Sequence, residues 1–90
     1  MTEADYQRKI LRRLERYGFY VLKLISTNKS GIPDLLALKP DRAIFIEVKG
    51  DKGKPSKLQL YRIQELEDLG FECYLTYPGD DLLTVKFPRL

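Results

Sequence analysis

The sequence predicts a small α/β (α+β) domain with the element order αβββαβ, a mixed sheet flanked by helices. Three observations predict it. Two segments, 3–17 and 56–69, carry apolar residues at helical spacing, each with a capping hydroxyl before it and a glycine after it. Four short apolar runs lie between and beyond these segments. The connection from the third run to the fourth contains the second helix, which is long enough for a right-handed crossover and so predicts a parallel pair.

Thr2 caps the first helix, expected from Glu3 to Tyr17 and ended by Gly18. Its apolar stripe is Tyr6, Ile10, Leu11, Leu14 and Tyr17, and extending that stripe backwards places Gln7 and Glu3 on the inward side. An acid there either complements the helix dipole or reaches a metal centre. Phe19–Ile25 is the first strand, followed by a polar loop through Gly31. Pro33 forces Ile32 to be extended, and Asp34 then opens the strand Leu35–Leu38. Lys39-Pro40-Asp41-Arg42 has turn chemistry, and Ala43–Ile46 leads into Glu47-Val48-Lys49. After a Gly/Pro/Lys loop, Ser56 caps the second helix, which runs to about Leu69 and Gly70. Phe71–Tyr77 is the last strand, and the tail from Asp80 to Leu90 reads equally as a short helix or an edge strand. The first three strands form an antiparallel meander.

This hairpin carries the chemistry. If Lys39 pairs with Arg42, then Leu38 pairs with Ala43 and Asp34 lies opposite Glu47. Alternation puts Glu47 and Lys49 on one face with Asp34 beside them. Opposed Cβ atoms sit only about 5 Å apart, and like charges there repel. Two such carboxylates are kept together most simply by a divalent cation between them. An ordinary Glu47–Lys49 ion pair, worth under about 1 kcal/mol, accounts for two of these residues and leaves Asp34 unexplained.

The bulk composition narrows the classes. Ninety residues form one domain, 1–90, and 43% hydrophobic content is ordinary for a globular chain with no membrane span. The acidic N-terminus lacks a signal-peptide core. The absence of histidine removes imidazole bases and metal ligands, and the single cysteine, Cys73, excludes an internal disulfide and reads as a small core residue. A reducing cytoplasm fits that cysteine usage. The net charge of +3 is polarised. Arg8, Lys9, Arg12, Arg13 and Arg16 share the first helix, and Lys49, Lys52, Lys54 and Lys57 surround the loop after Glu47. From Glu65 to Asp81 there is no basic residue. A polyanion held at the carboxylates suits this pattern, while solvated helix faces explain the first cluster as well.

At Pro33-Asp34 and Glu47-Val48-Lys49 the chain resembles the PD-(D/E)xK nuclease superfamily, and among its branches the virus-type replication-repair nuclease (VRR-NUC) domain. Glu3 with Gln7, Gly31 three residues before Asp34, and Ser56-Lys57-Leu58-Gln59 after the strand fit that branch. The resemblance implies a restriction-endonuclease-like core and metal-dependent endodeoxyribonuclease activity, the hydrolysis of phosphodiester bonds. It implies Mg²⁺ or Mn²⁺ held by Asp34, Glu47 and the Val48 carbonyl, a metal with which hard oxygen ligands agree. Lys49 would orient or deprotonate the attacking water, or neutralise transition-state charge. Gln59 is open between two roles: closing a capping box with Ser56, or contacting water, a metal-bound group or DNA. Glu3 completes the implied catalytic set, and Lys29, Lys52, Lys54, Lys57 and Tyr61 are candidates for DNA contact.

Without a separate base-reading module, such a domain is expected to read shape and phosphates. Stand-alone members resembling this chain imply a homodimer acting on branched DNA, a Holliday junction resolvase of phage type in a bacterial or phage-infected cytoplasm. The apolar tail residues Leu82, Leu83, Val85 and Phe87 are candidates for its interface. A flap or nicking nuclease, a restriction-type enzyme, an RNA-processing or toxin-like nuclease, and a non-catalytic DNA-binding module remain open alternatives.

Overall fold

The computed structural model describes residues 2–79. Asp80–Leu90, including the tail residues Leu82, Leu83, Val85 and Phe87 expected at a dimer interface, lie outside the described residues. The elements follow the expected order: α1 (Glu3–Arg16), β1 (Tyr20–Lys23), β2 (Leu35–Lys39), β3 (Arg42–Val48), α2 (Lys57–Asp68) and β4 (Glu72–Thr76). They form one sheet in the order β1-β2-β3-β4, with the first two pairings antiparallel and β3–β4 parallel. Lys39 pairs with Arg42 and Leu38 with Ala43, the register expected from the turn. Asp41 takes a positive φ of 60° in that two-residue turn, a conformation aspartate tolerates.

Both helix starts are capping boxes. Thr2 accepts from the Asp5 N–H while Asp5 reaches back to the Thr2 N–H, and Ser56 and Gln59 repeat the arrangement on α2. Alternation along the strands then divides the molecule into two layers. Ile44, Ile46 and Val48 of β3 face α1, where they meet Tyr6, Ile10, Leu14, Leu35, Ala37 and Tyr74 in the main core. Phe45 and the carboxylate-bearing positions face the other way, toward α2, whose Ile63 packs with Cys73 and Leu75. Truncating a fully buried Ile10 or Leu14 to alanine would cost about 2–5 kcal/mol, so the α1 layer carries much of the stability.

Three expectations are corrected. Tyr17 does not belong to the buried stripe: it is the C-cap, 55% exposed, at the point where the chain leaves the helix through Gly18. The first strand is shorter than Phe19–Ile25. Phe19 instead fills the core edge, with the Lys39 ammonium 4.4 Å from its ring centre, and Ile25 projects into solvent. Glu3 is exposed rather than buried with the stripe, and its carboxylate turns to the end of β3, where it accepts from the Gly50 N–H.

The Tyr6 hydroxyl joins α1 to the end of β4. It lies 2.7 Å from Thr76 Oγ1 and donates to the Tyr77 carbonyl at 2.5 Å. Tyr6→Phe should therefore lower unfolding free energy by about 1–2 kcal/mol in urea titrations, through loss of the hydroxyl's bonds to Thr76 and Tyr77. An unchanged midpoint would show that these bonds contribute nothing net.

Candidate active site

Asp34 sits just before β2, at the mouth of the loop that leaves β1. Its carbonyl accepts from the Leu24 N–H at 2.9 Å, closing that loop, and its carboxylate Oδ2 accepts from the Val48 N–H at 2.9 Å. The expected neighbour relation is thus present: the β2–β3 register, continued one residue past Leu35–Ile46, brings Asp34 to Glu47. The Lys49 N–H bonds Thr76 on β4 at 3.0 Å. By the alternation of the ladder, the Val48 N–H and carbonyl point to the Asp34 side. The residue opposite Val48 in that register is Pro33, which has no N–H to offer the carbonyl.

Glu47 is 1% exposed, and the Lys49 side chain, 12% exposed, lies beside it. Lys49 Nζ lies 3.0 Å from Glu47 Oε2 and donates to Gln59 Oε1 at 3.1 Å. Gln59 Nε2 donates to the same Glu47 oxygen at 2.9 Å, while its Oε1 also accepts from the Ser56 N–H at 2.8 Å. The capping role is therefore present, and the same side chain also bonds Glu47 and Lys49. A primary amide has a donor end and an acceptor end, so one side chain caps α2 and ties Glu47 to Lys49.

Glu3 comes to the same corner from α1, with Oε1 accepting from the Gly50 N–H at 3.1 Å. Its charge is felt at both carboxylates. Burial, the Asp34 charge and the Glu3 charge push the Glu47 carboxyl up to about 7 against the opposing pull of Lys49. Burial also raises Asp34, partly offset by the Val48 N–H and Lys49. Glu47 Oε1, buried, has no hydrogen-bond partner. Orphaned buried acceptors are rare, and this one belongs to a carboxylate with a second acid nearby.

A divalent cation fits these residues. An orphan carboxylate oxygen, a neighbouring carboxylate and a backbone carbonyl that Pro33 cannot satisfy are all hard oxygen donors. No cluster of three or more acidic, cysteine or histidine groups able to hold a metal forms among the described residues. Two carboxylates, with water and phosphate completing a shell, would be a composition Mg²⁺ accepts.

The candidate contact residues Lys29, Lys52, Lys54, Lys57 and Tyr61 are all exposed. Lys57 and Tyr61 stand on the first turns of α2, beside Gln59, and Lys52 and Lys54 on the loop leading into that helix. Gly31 has a φ of 84° and no room for a side chain, since a Cβ there would fall 2.7 Å from Leu58 Cγ; the loop carrying Lys29 thus rests directly on α2. Arg62 is absent from the sequence-derived set. Its Nε donates to the Ser30 carbonyl at 2.9 Å, and its place one turn after Gln59 was the available signal.

Three comparisons bear on this geometry. A family model described as the VRR-NUC domain matches residues 1–77. The protein "Putative nuclease p44" of Acyrthosiphon pisum secondary endosymbiont phage 1 is 27% identical over 86 residues, which cover 94% of this chain and 91% of the phage protein. The structure of Hjc, a Holliday junction resolvase of Archaeoglobus fulgidus, aligns with a TM-score of 0.64 at 24% identity. That alignment covers 87% of this chain and 66% of Hjc, so the chain spans just under two thirds of that protein. The likeness establishes a restriction-endonuclease-like fold.

The titration of Glu47 has a measurable consequence in metal-free protein. Its folded pKa lies above the ordinary value of 4.5, so between about 5 and 7 the folded state holds a proton that the unfolded state has lost. Stability should fall as pH rises through that window, by on the order of 3 kcal/mol, and stay reduced above it. Glu47→Gln should flatten the slope and raise the melting temperature at pH 8 in EDTA. A wild-type slope that survives this substitution would assign the effect to another group.

Proposed function

This chain belongs to the VRR-NUC nuclease domain family, and from that premise we propose that it is a Mg²⁺- or Mn²⁺-dependent, structure-specific endonuclease cutting phosphodiester bonds in branched DNA. The observation that carries the reading is the half-buried Asp34 beside the buried Glu47, with Lys49 bonded to Glu47. Asp34, Glu47 and the Val48 carbonyl would hold the cation. When bound, such an ion polarises the phosphodiester and makes a water a competent nucleophile at neutral pH.

The chain's own residues supply the rest. Lys49 is held by Glu47 and Gln59, so its ammonium is presented with little freedom and can donate to water or to a phosphate oxygen where negative charge grows. Gln59 fixes that presentation from the helix cap, and Glu3 braces the strand end through Gly50. Lys29, Lys52, Lys54, Lys57 and Tyr61 would meet the sugar-phosphate backbone, positioning the substrate without reading bases.

The shared fold with a protein named a Holliday junction resolvase makes the four-way junction the first substrate to try. A homodimer would place two sites about a two-fold axis, suited to paired cuts. Purified protein should cut a four-way junction in Mg²⁺ or Mn²⁺ and not in EDTA. Binding without cleavage in both metals would remove the enzyme reading. Equal cutting of a linear duplex would remove structure specificity, and a monomer by light scattering at micromolar concentration would remove the paired-cut arrangement.

Asp34→Asn and Lys49→Ala should each lower the cleavage rate by about 100-fold or more, with junction affinity in EDTA changed by only a few-fold. Loss of folding in both variants would instead assign these residues a structural role.

A further inference from the structure

We infer that Arg62 is a positioning residue for the site, holding the loop that delivers Asp34 against the helix that delivers Gln59; this rests on the nuclease reading above. Among the described residues Ile63 and Leu66 of α2 pack in one apolar cluster with Cys73 and Leu75 of β4, Phe45 of β3 and Tyr77. The side of α2 toward the carboxylates is held by polar bonds and by one close approach. Gln59 reaches Glu47 and Lys49 from the first turn. One turn later, Arg62 Nε donates to the Ser30 carbonyl at 2.9 Å, and Gly31 seats on Leu58.

Ser30 stands four residues before Asp34, and the chain between them has little freedom. Gly31 is fixed by its contact with Leu58, Ile32 is restricted by the following proline, and Pro33 is fully buried. Fixing the Ser30 carbonyl therefore fixes the direction from which Asp34 enters. Arg62 is itself held rather than free. Its Nη1 donates to Glu65 Oε1 at 2.9 Å, its guanidinium lies 5.6 Å from the Tyr61 ring centre, and its side chain is 19% exposed. A planar guanidinium can satisfy the loop carbonyl and Glu65 together, which a single ammonium does less well. One side chain thus spans the two halves of the site, which the chain itself joins only through β2, β3 and a lysine-rich loop.

The test uses Arg62→Met, which keeps the aliphatic stem and removes the donors, Arg62→Lys, which keeps one donor, and Glu65→Gln, which loosens only the other arm. Single-turnover cleavage at saturating junction DNA should fall about tenfold in Arg62→Met, a loss typical of a group that orients a ligand. Junction affinity in EDTA should stay within about threefold. Arg62→Lys should recover part of the rate, and Glu65→Gln should stay within about twofold of wild type. The amides of Gly31, Ile32 and Asp34 should exchange faster in Arg62→Met, and Mn²⁺ should bind more weakly by titration. A wild-type rate in Arg62→Met overturns the inference. So does a rate restored by more DNA, which makes Arg62 a substrate contact, or unchanged loop exchange. If wild-type protein cuts no substrate, the nuclease reading fails by itself; exchange and Mn²⁺ binding then still decide for or against the positioning role. Should Arg62→Met not fold, Arg62→Lys carries the same comparisons.

Discussion

The structure depends on keeping one carboxylate, Glu47, almost wholly out of water beside another. Removing a charge from water costs several kcal/mol even after relaxation, and a second acid nearby adds to it. The surroundings offset only part of this. Lys49 and Gln59 both address the same oxygen, and the other oxygen is left alone. A core optimised for stability would place an apolar residue at this position, as it does at Ile44, Ile46 and Val48 on the same strand. Strain kept at one point is the usual mark of a site that something else completes.

The fold tolerates that strain because the sheet separates it from the main core. The α1 side is continuous and apolar, built on Ile10, Leu14, Ile44 and Ile46, all fully buried. The α2 side is a smaller apolar cluster that gives way, at the carboxyl end of β3, to Glu47, Lys49 and Gln59. Polar bonds rather than packing then set the geometry at that end. Such bonds are directional and so hold atoms to a few tenths of an ångström, but each is individually weak in net terms. Precision at the site is therefore distributed over several residues on α2, on the loop from β1 and on α1.

Two sequence features that read as local turned out to serve the site. Pro33 is a strand-entry residue, and its fixed, fully buried ring also directs Asp34 to the Val48 N–H. Ser56 is a helix cap, and its partner Gln59 uses the remaining half of its amide on Glu47. In each case a residue with a local role also bears on the groups around Glu47.

The order of elements, both helix caps, the Ser56–Gln59 capping box and the facing of Asp34 and Glu47 were legible in the sequence. They rest on local rules, alternation, helical period and turn chemistry, that operate within a few residues. What the sequence could not decide was long-range. That Glu3 would bond Gly50 forty-seven residues away, that Tyr17 would fall outside the core, and that Arg62 would reach Ser30 all depend on how helices dock on the sheet. Docking is set by summed packing over many side chains, and no periodicity records it. The chemistry of the hairpin was thus determined by the sequence itself, and the frame that holds its groups in place by the tertiary structure alone.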